Sequence, residues 1–257
     1  MSNSSLLMAM VFLTRLPIKI NATVNDELLN DASRHFALVG LFIGLGLALI
    51  YIVSHSLFPV SVAVILTLAA GVLLTGAFHE DGFADIWDGF GGGWSVEQKL
   101  SIMKDSRLGT YGALALCLLM LLKFQLLVLL GSVWYLPCVA LILAHTLSRA
   151  MATSLIGLLP YVQLDNQSKV KPVVRGLSQS AKESLFVCAL SVLLLTWVLG
   201  FLSFWYAIVM VICLWLIRKL CVVWFNKQLG GYTGDCLGAA QQIAEVSVYL
   251  VCLKAWL

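Results

Sequence analysis

The chain has 257 residues, of which 61% are hydrophobic and only 11% are charged, with a formal net charge of +3 and a mean hydropathy of +0.96. Because soluble domains usually carry about 25% charged residues, this composition excludes an ordinary soluble domain and indicates an integral membrane protein. We expect no nucleic-acid partner. The seven cysteines occur singly, without a CxxC pair, so neither a disulfide nor a zinc framework is predicted.

Seven apolar segments approach the roughly 20 residues needed to cross a bilayer. In chain order they are Phe36–Val53, Val60–Phe78, Gly112–Gly131, Pro137–Leu159, Leu185–Phe201, Phe204–Ile217 and Cys236–Leu257. Before them, Ser5–Leu16 reads as a short interfacial helix that ends at Pro17. We therefore predict an all-α, polytopic helical bundle of about seven transmembrane helices, forming a single membrane domain over residues 1–257.

Among the connections between these segments, only alternate ones contain lysine or arginine. The N-terminal region and the loops 79–111, 160–184 and 218–235 contain them, whereas Ser54–Pro59, Ser132–Leu136 and Leu202–Ser203 contain none. Since cytoplasmic loops carry an excess of Lys and Arg, we predict that the N-terminus and the three long polar loops face the cytoplasm.

The first polar loop begins with an unusual concentration of acid. If this segment is helical, the spacings of four and three place Asp81, Asp85 and Asp88 on one face. Oxygen ligands of this kind suit Mg²⁺, and Gly82 and Gly89 would let the backbone approach a phosphate closely. The alternative is a solvated acidic surface, which is unusual for a cytoplasmic loop because such loops favour basic residues.

The same loop ends in Asp105-Ser106-Arg107-Leu108-Gly109-Thr110, immediately before the third span. Asp105 offers a further metal ligand, and the planar guanidinium of Arg107 offers a fork for a phosphate. The alternative is an ordinary junction at the start of a helix.

A glycine-rich turn precedes the last span and contains Gly230, Gly231, Thr233 and Asp235. Backbone N–H groups at the start of a helix suit an anion, and Asp235 could add a metal ligand. A plain glycine-rich turn explains this segment equally well.

Ionisable residues also lie inside the spans. Lys123, Arg149 and Glu245 all fall roughly 13–17 Å below the predicted cytoplasmic edge, at 1.5 Å per helical residue. Such residues normally pair or line a polar cavity, so we expect an ion-pair cluster in which Arg149 lies within reach of Glu245. His79, next to the acidic run, is either a general base or a histidine at the membrane boundary.

Several of these motifs together resemble the cobalamin synthase (adenosylcobinamide-GDP ribazoletransferase) family. The matching stretches are Phe12-Leu13-Thr14-Arg15-Leu16-Pro17, Gly76-Ala77-Phe78-His79-Glu80-Asp81-Gly82-Phe83-Ala84-Asp85 with Asp88-Gly89, Ile102-Met103-Lys104-Asp105-Ser106-Arg107-Leu108-Gly109-Thr110-Tyr111-Gly112, Ser148-Arg149, and Gly230-Gly231-Tyr232-Thr233-Gly234-Asp235-Cys236-Leu237-Gly238-Ala239. The resemblance runs along the whole chain and keeps the order and rough spacing of every motif.

The resemblance implies that α-ribazole, or its 5'-phosphate, attacks adenosylcobinamide-GDP and displaces GMP during assembly of vitamin B12. It implies Mg²⁺ as cofactor and a multi-pass location in the bacterial inner membrane with the active site facing the cytoplasm. The oligomeric state, including a homo-oligomer, stays open. The residues assigned on this basis are His79, Arg107 and Asp105 for catalysis; Asp81, Asp85, Asp88, Asp105 and Asp235 for the metal; and Gly82, Gly89, Ser106, Gly109, Thr110, Gly230, Gly231, Thr233, Arg149 and Lys123 for substrate.

Two other classes of function use a similar arrangement of acids. Asp85-Ile86-Trp87-Asp88-Gly89 matches the start of the CDP-alcohol phosphotransferase pattern, but the Ala-Arg that should follow is absent. A lipid phosphotransferase or a prenyltransferase therefore stays an alternative. A metal-ion transporter is the third hypothesis, although transporters place their carboxylates near the middle of broken spans, and here only Glu245 lies deep.

Overall fold

The structure, a computed structural model, describes residues 2–20, 25–162 and 176–256, and it is helical almost throughout. Eleven α-helices follow one another in these ranges: α1 (Ser2–Leu13), α2 (Asp26–Ala32), α3 (Phe36–Leu57), α4 (Val60–Thr75), α5 (Phe78–Gly92), α6 (Val96–Lys104), α7 (Thr110–Leu130), α8 (Leu136–Thr153), α9 (Gln179–Val198), α10 (Phe204–Leu229) and α11 (Gly234–Trp256). A 3₁₀ turn, Ser33–His35, joins α2 to α3. The predicted all-α membrane fold is confirmed.

Six helical segments of the described chain are long and apolar enough to cross a membrane, and a seventh is counted if α4 and α5 form one bent span. The predicted spans match these helices, and the polar connections between them contain more helix than loop. Loop 79–111 folds mostly into α5 and α6, because its polar residues have helical spacing. Loop 218–235 shrinks to the turn before α11, because α10 continues to Leu229. Of loop 160–184, residues 163–175 lie outside the described part, and α9 already begins at Gln179.

The second predicted span is shorter than expected because the chain turns by 88° between α4 and α5. Gly76 and Ala77 form this turn, with left-handed φ angles of 67° and 56°. The φ of Gly76 favours glycine, and a β-carbon there would lie 2.2 Å from Nε of Arg15, so that the arginine side chain would have to move. The turn directs the acidic helix α5 across the end of the bundle instead of along a continued span.

Helix α8 occupies the centre of the bundle, with almost every residue buried. Small residues let its neighbour approach closely, since a β-carbon on Gly40 of α3 would lie 2.2 Å from the carbonyl oxygen of His145. Helices α9 and α10 lie at the edge and expose most of their apolar surface. The N-terminal helix α1 packs inward, with Phe12 stacked on Phe36 at 5.5 Å.

Candidate active site

Three aspartates form one face of α5, as their spacing predicts. Asp81 is exposed, Asp85 is half-buried and Asp88 is buried, so the face runs from solvent into the protein. Asp235, the second residue of α11, joins them, and electrostatic interactions link Asp85 to the other three carboxylates and Asp235 to Asp81. Two helices that are distant in sequence therefore build one group of four carboxylates, which we call the carboxylate cluster.

The contact that brings Asp235 into the cluster depends on glycine. A β-carbon on Gly82 would lie 2.9 Å from the Cα atom of Asp235, and one on Gly238 would lie 3.1 Å from the carbonyl oxygen of His79. Both distances are shorter than ordinary van der Waals contact, so α5 and α11 pack backbone against backbone. The close approach at Gly82 is thus made by the backbone of Asp235, and an approach of a phosphate to Gly82 stays a prediction.

Asp88 has a structural partner. Its Oδ2 accepts a hydrogen bond from the N–H of Gly109 and its Oδ1 accepts one from the N–H of Gly112, both at 2.8 Å. Gly109 directly precedes α7 and Gly112 lies in its first turn, where N–H groups lack intrahelical acceptors and a negative charge is favoured. The N–H of Gly109 thus binds Asp88, and the assignment of Gly109 to the substrate stays a prediction. Gly89, in turn, packs against the side chain of Met103.

The donor set of the cluster fits a hard divalent cation. No Lys or Arg forms an ion pair with any of these four carboxylates among the described residues, and such a concentration of negative charge favours a bound cation. Within the same residues, however, no three His, Cys, Asp or Glu side chains converge into a ready-made metal site. Asp81, Asp85 and Asp235 are the candidate ligands, and Asp88 has a hydrogen bond at each oxygen.

Asp105 and Arg107 form an ion pair with each other in the connection between α6 and α7. Arg107 donates from Nε to Oδ1 of Asp105 at 3.0 Å and from Nη2 to Oδ2 at 2.5 Å. These hydrogen bonds from Arg107 lower the pKa of Asp105 to about 2. The guanidinium is nearly fully exposed, so it is accessible to an anion, whereas Asp105 is held by its own neighbour. Ser106 and Thr110 are also exposed.

The glycine-rich turn has a structural role at each predicted position. Gly230 ends α10 with a left-handed φ of 67°. Gly231 is packed so closely against Pro160 that a β-carbon would lie 2.3 Å from its carbonyl oxygen. Thr233 accepts a hydrogen bond from the N–H of Cys236 at 3.3 Å and so caps α11. The turn positions Asp235, and the anion-binding role expected of Thr233 and Gly231 gains no geometric support.

The deep ionisable residues do form a cluster, but with different partners from those expected. Nζ of Lys123 lies 2.8 Å from Oε1 of Glu245, and Tyr249 and Gln241 donate to the same carboxylate at 3.3 and 2.9 Å. Arg149 does not pair with Glu245. Its Nη1 instead donates to the carbonyl oxygen of His145, one turn back along α8, at 3.1 Å.

Glu80 is the member of this deep cluster that the sequence patterns do not reveal. It lies 3.8 Å from Nζ of Lys123 and accepts a hydrogen bond from Gln242 at 3.1 Å. Consecutive helical residues point about 100° apart, which separates Glu80 from Asp81 on α5. His79 is about 200° from Asp81 by the same geometry; it is buried and lines a small cavity together with Arg149.

Known proteins resemble the chain over nearly its whole length. The sequence profile of the family described as cobalamin-5-phosphate synthase matches residues 5–253. A protein of Shewanella frigidimarina (strain NCIMB 400) named adenosylcobinamide-GDP ribazoletransferase is 51% identical over 250 residues, covering 97% of this chain and 94% of its own length. A protein of the same name from Shewanella sp. (strain W3-18-1) is 50% identical, covering 96% of this chain and 92% of its own length.

No solved structure matches the chain significantly. The family match covers nearly the whole chain, including α5, the connection before α7 and the start of α11. The chain therefore belongs to the cobalamin-5-phosphate synthase family.

Proposed function

We propose that the chain is a Mg²⁺-dependent transferase that joins α-ribazole, or its 5'-phosphate, to adenosylcobinamide-GDP with release of GMP. The single observation that supports this chemistry is the carboxylate cluster, in which Asp81, Asp85 and Asp235 meet without a cationic partner among the described residues. A pyrophosphate substrate brings more negative charge to the same place. A divalent cation bound between the carboxylates and the pyrophosphate would reduce the repulsion between these two negatively charged groups.

The reaction exchanges one P–O bond for another. The ribazole hydroxyl attacks the phosphorus attached to cobinamide, and the bond from that phosphorus to the GMP oxygen breaks. The hydroxyl proton passes to a carboxylate of the cluster. This assignment replaces His79 as the base, since His79 is buried on the other side of α5. A bound Mg²⁺ would supply neutralisation of the pyrophosphate charge.

Arg107 is the residue that holds the departing phosphate in this proposal. Its guanidinium is almost fully exposed while its position is fixed by Asp105, and a planar fork matches phosphate oxygens. Asp105 thus becomes a positioning residue for Arg107 and no longer a metal ligand. We place the carboxylate cluster on the cytoplasmic side of the bacterial inner membrane, where the charged connections lie by the positive-inside rule.

The test is a reaction with purified protein in liposomes, adenosylcobinamide-GDP, α-ribazole and Mg²⁺, followed by detection of GMP and the cobamide. We expect turnover that requires Mg²⁺ and that is lost in Asp85→Asn. Glu97→Gln is the matched control, because Glu97 is an exposed acid on the neighbouring helix α6 outside the cluster. Turnover that is indifferent to a metal chelator would exclude the Mg²⁺ mechanism. Uptake of Mg²⁺ or Co²⁺ into the liposomes without product would favour a transporter.

A further inference from the structure

An apolar cavity of about 790 Å³ lies between α8, α9 and α10, apart from the carboxylate cluster. Its walls include Leu147 and Met151 of α8, Leu185 of α9, and Leu214 and Trp215 of α10. None of the four cluster aspartates lines it. A cavity of this size is in the range of small-molecule sites, roughly 300–1,000 Å³, and so is large enough for a ligand of its own.

Two cations line this otherwise apolar cavity, Arg218 of α10 and Lys182 of α9. Nε of Arg218 donates to Oγ of Ser154 at 2.9 Å and its Nη2 to the carbonyl oxygen of Ser154 at 3.3 Å. Among the described residues, no carboxylate pairs with either cation. Within the described part of the chain, the two positive charges beside the apolar walls of the cavity therefore have no ion-pair partner.

The two cations lie at the same end of the bundle as the carboxylate cluster. Ser154 directly follows α8, and the end of α8 lines one small cavity together with Gly234 at the start of α11. Helix α10 continues about 16 Å beyond Arg218 at 1.5 Å per residue, so this arginine is near the level where α8 ends. That level is where a lipid head group would lie if α8 spans the hydrocarbon layer.

An apolar groove leads from the cations towards the other end of the bundle. A second cavity of about 240 Å³ shares Leu190, Leu193 and Val211 with the first and extends to Trp197 and Phe204. From Lys182 to Trp197 the groove follows α9 for about 22 Å at 1.5 Å per residue. Half of a hydrocarbon core is about 15 Å thick, so the groove is long enough for an acyl chain of one leaflet.

We propose that this groove binds one anionic phospholipid of the bilayer. Its phosphate would contact Arg218 and Lys182, and one acyl chain would lie in the apolar part of the groove between α9 and α10. Arginine binds phosphate oxygens through its planar fork, and basic pockets between transmembrane helices bind anionic head groups. A free phosphate compound would leave the apolar part of the groove empty. A zwitterionic lipid would gain less from the two cations.

Native mass spectrometry of the full-length protein in detergent tests this proposal, with added phosphatidylglycerol or phosphatidylcholine of the same acyl chains. We expect phosphatidylglycerol to remain bound preferentially. Since one cation near an anionic lipid contributes a factor of about five in affinity, Arg218→Gln with Lys182→Gln should weaken its binding roughly thirtyfold. Lys227→Gln is the matched control, because Lys227 is an exposed cation of α10 that does not line the groove.

A filling substitution tests the apolar half of the site independently. Ala189 lines the cavity on α9, so Ala189→Trp should displace the lipid while both cations stay in place. If the double variant does not fold, Lys182→Gln alone changes an exposed residue and should weaken binding roughly fivefold. Equal retention of the two lipids, an equal loss in Lys227→Gln, undiminished binding in Ala189→Trp, or a lipid-free dimer across this face would each overturn the proposal.

Discussion

Lys123 and Glu245 form a buried ion pair between α7 and α11, with 2.8 Å between Nζ and Oε1. Both side chains are about 3% exposed, and Gln241 and Tyr249 complete the hydrogen bonding of the carboxylate. Since a single charge at such a depth is unfavourable, the pair fixes how α7 and α11 face each other. The residue in ion-pair contact with Glu245 is therefore Lys123 and not Arg149, as residue depth alone does not reveal.

Removing the cation of this pair should leave the buried carboxylate of Glu245 without its ion-pair partner. We expect Lys123→Met to lower the free energy of unfolding by about 3–5 kcal/mol, the usual cost of a broken buried pair, and to lower the melting temperature in detergent. Adding Glu245→Gln should restore part of the loss. Lys254→Met is the control, because Lys254 is exposed near the end of α11. If the double variant is no more stable than Lys123→Met, the two residues are not coupled.

Substitutions of Asp88 and Asp85 should have different effects, the first on stability and the second on activity. Asp88→Ala removes the acceptor for two N–H groups at the start of α7, so it should cost about 1–2 kcal/mol, as the loss of a helix cap does. Asp85→Asn keeps the size and removes one charge from a repulsive cluster, so it should leave the melting temperature unchanged or higher while turnover is lost. Equal destabilisation in both variants would mean that Asp85 also has a structural partner.

The contact between α5 and α11 should tolerate no side chain at Gly82. A β-carbon there would lie 2.9 Å from Cα of Asp235, so Gly82→Ala should force the helices apart at a cost of about 1–3 kcal/mol and move Asp235 out of the cluster. Gly46→Ala is the matched control on α3, where a β-carbon meets nothing within 4 Å. This control should gain up to about 1 kcal/mol. Full activity in a stable Gly82→Ala variant would argue against a role for Asp235.

Arg107 should depend on its shape as well as its charge. Arg107→Lys keeps the charge but loses the two-pronged contact with Asp105, so we expect lower turnover in a protein with an unchanged melting temperature. Because Arg107 is exposed, folding provides no explanation for a loss of activity. Turnover equal to that of the unmodified chain would remove Arg107 from the phosphate site.

The orientation of the chain is testable by cysteine labelling in a background without the native cysteines. Ser101 and Ser178 lie on the charged side of the predicted topology and Ser56 on the uncharged side, and all three are exposed. By the positive-inside rule, an impermeant thiol reagent should reach Ser101→Cys and Ser178→Cys only from the cytoplasm and Ser56→Cys only from outside. Labelling with the opposite sidedness would reverse both the topology and the cytoplasmic site.

Composition and periodicity determined the membrane class, the number of long helices and the shared face of Asp81, Asp85 and Asp88. These features are local, because apolar length decides what can span a bilayer and 3.6 residues per turn decides which side chains share a helix face. The motif pattern along the chain also pointed to the family, which the match over residues 5–253 then established.

Only the tertiary structure decided which residues the side chains on each helix face contact. Gly82 lets Asp235 of α11 approach the acids of α5. Asp88 accepts hydrogen bonds from N–H groups at the start of α7, and Lys123, not Arg149, forms the ion pair with Glu245. Sequence spacing fixes the direction of a side chain relative to its own helix. The neighbour it meets depends on the 88° turn after α4 and on close helix contacts between residues far apart in the chain, which no local pattern encodes.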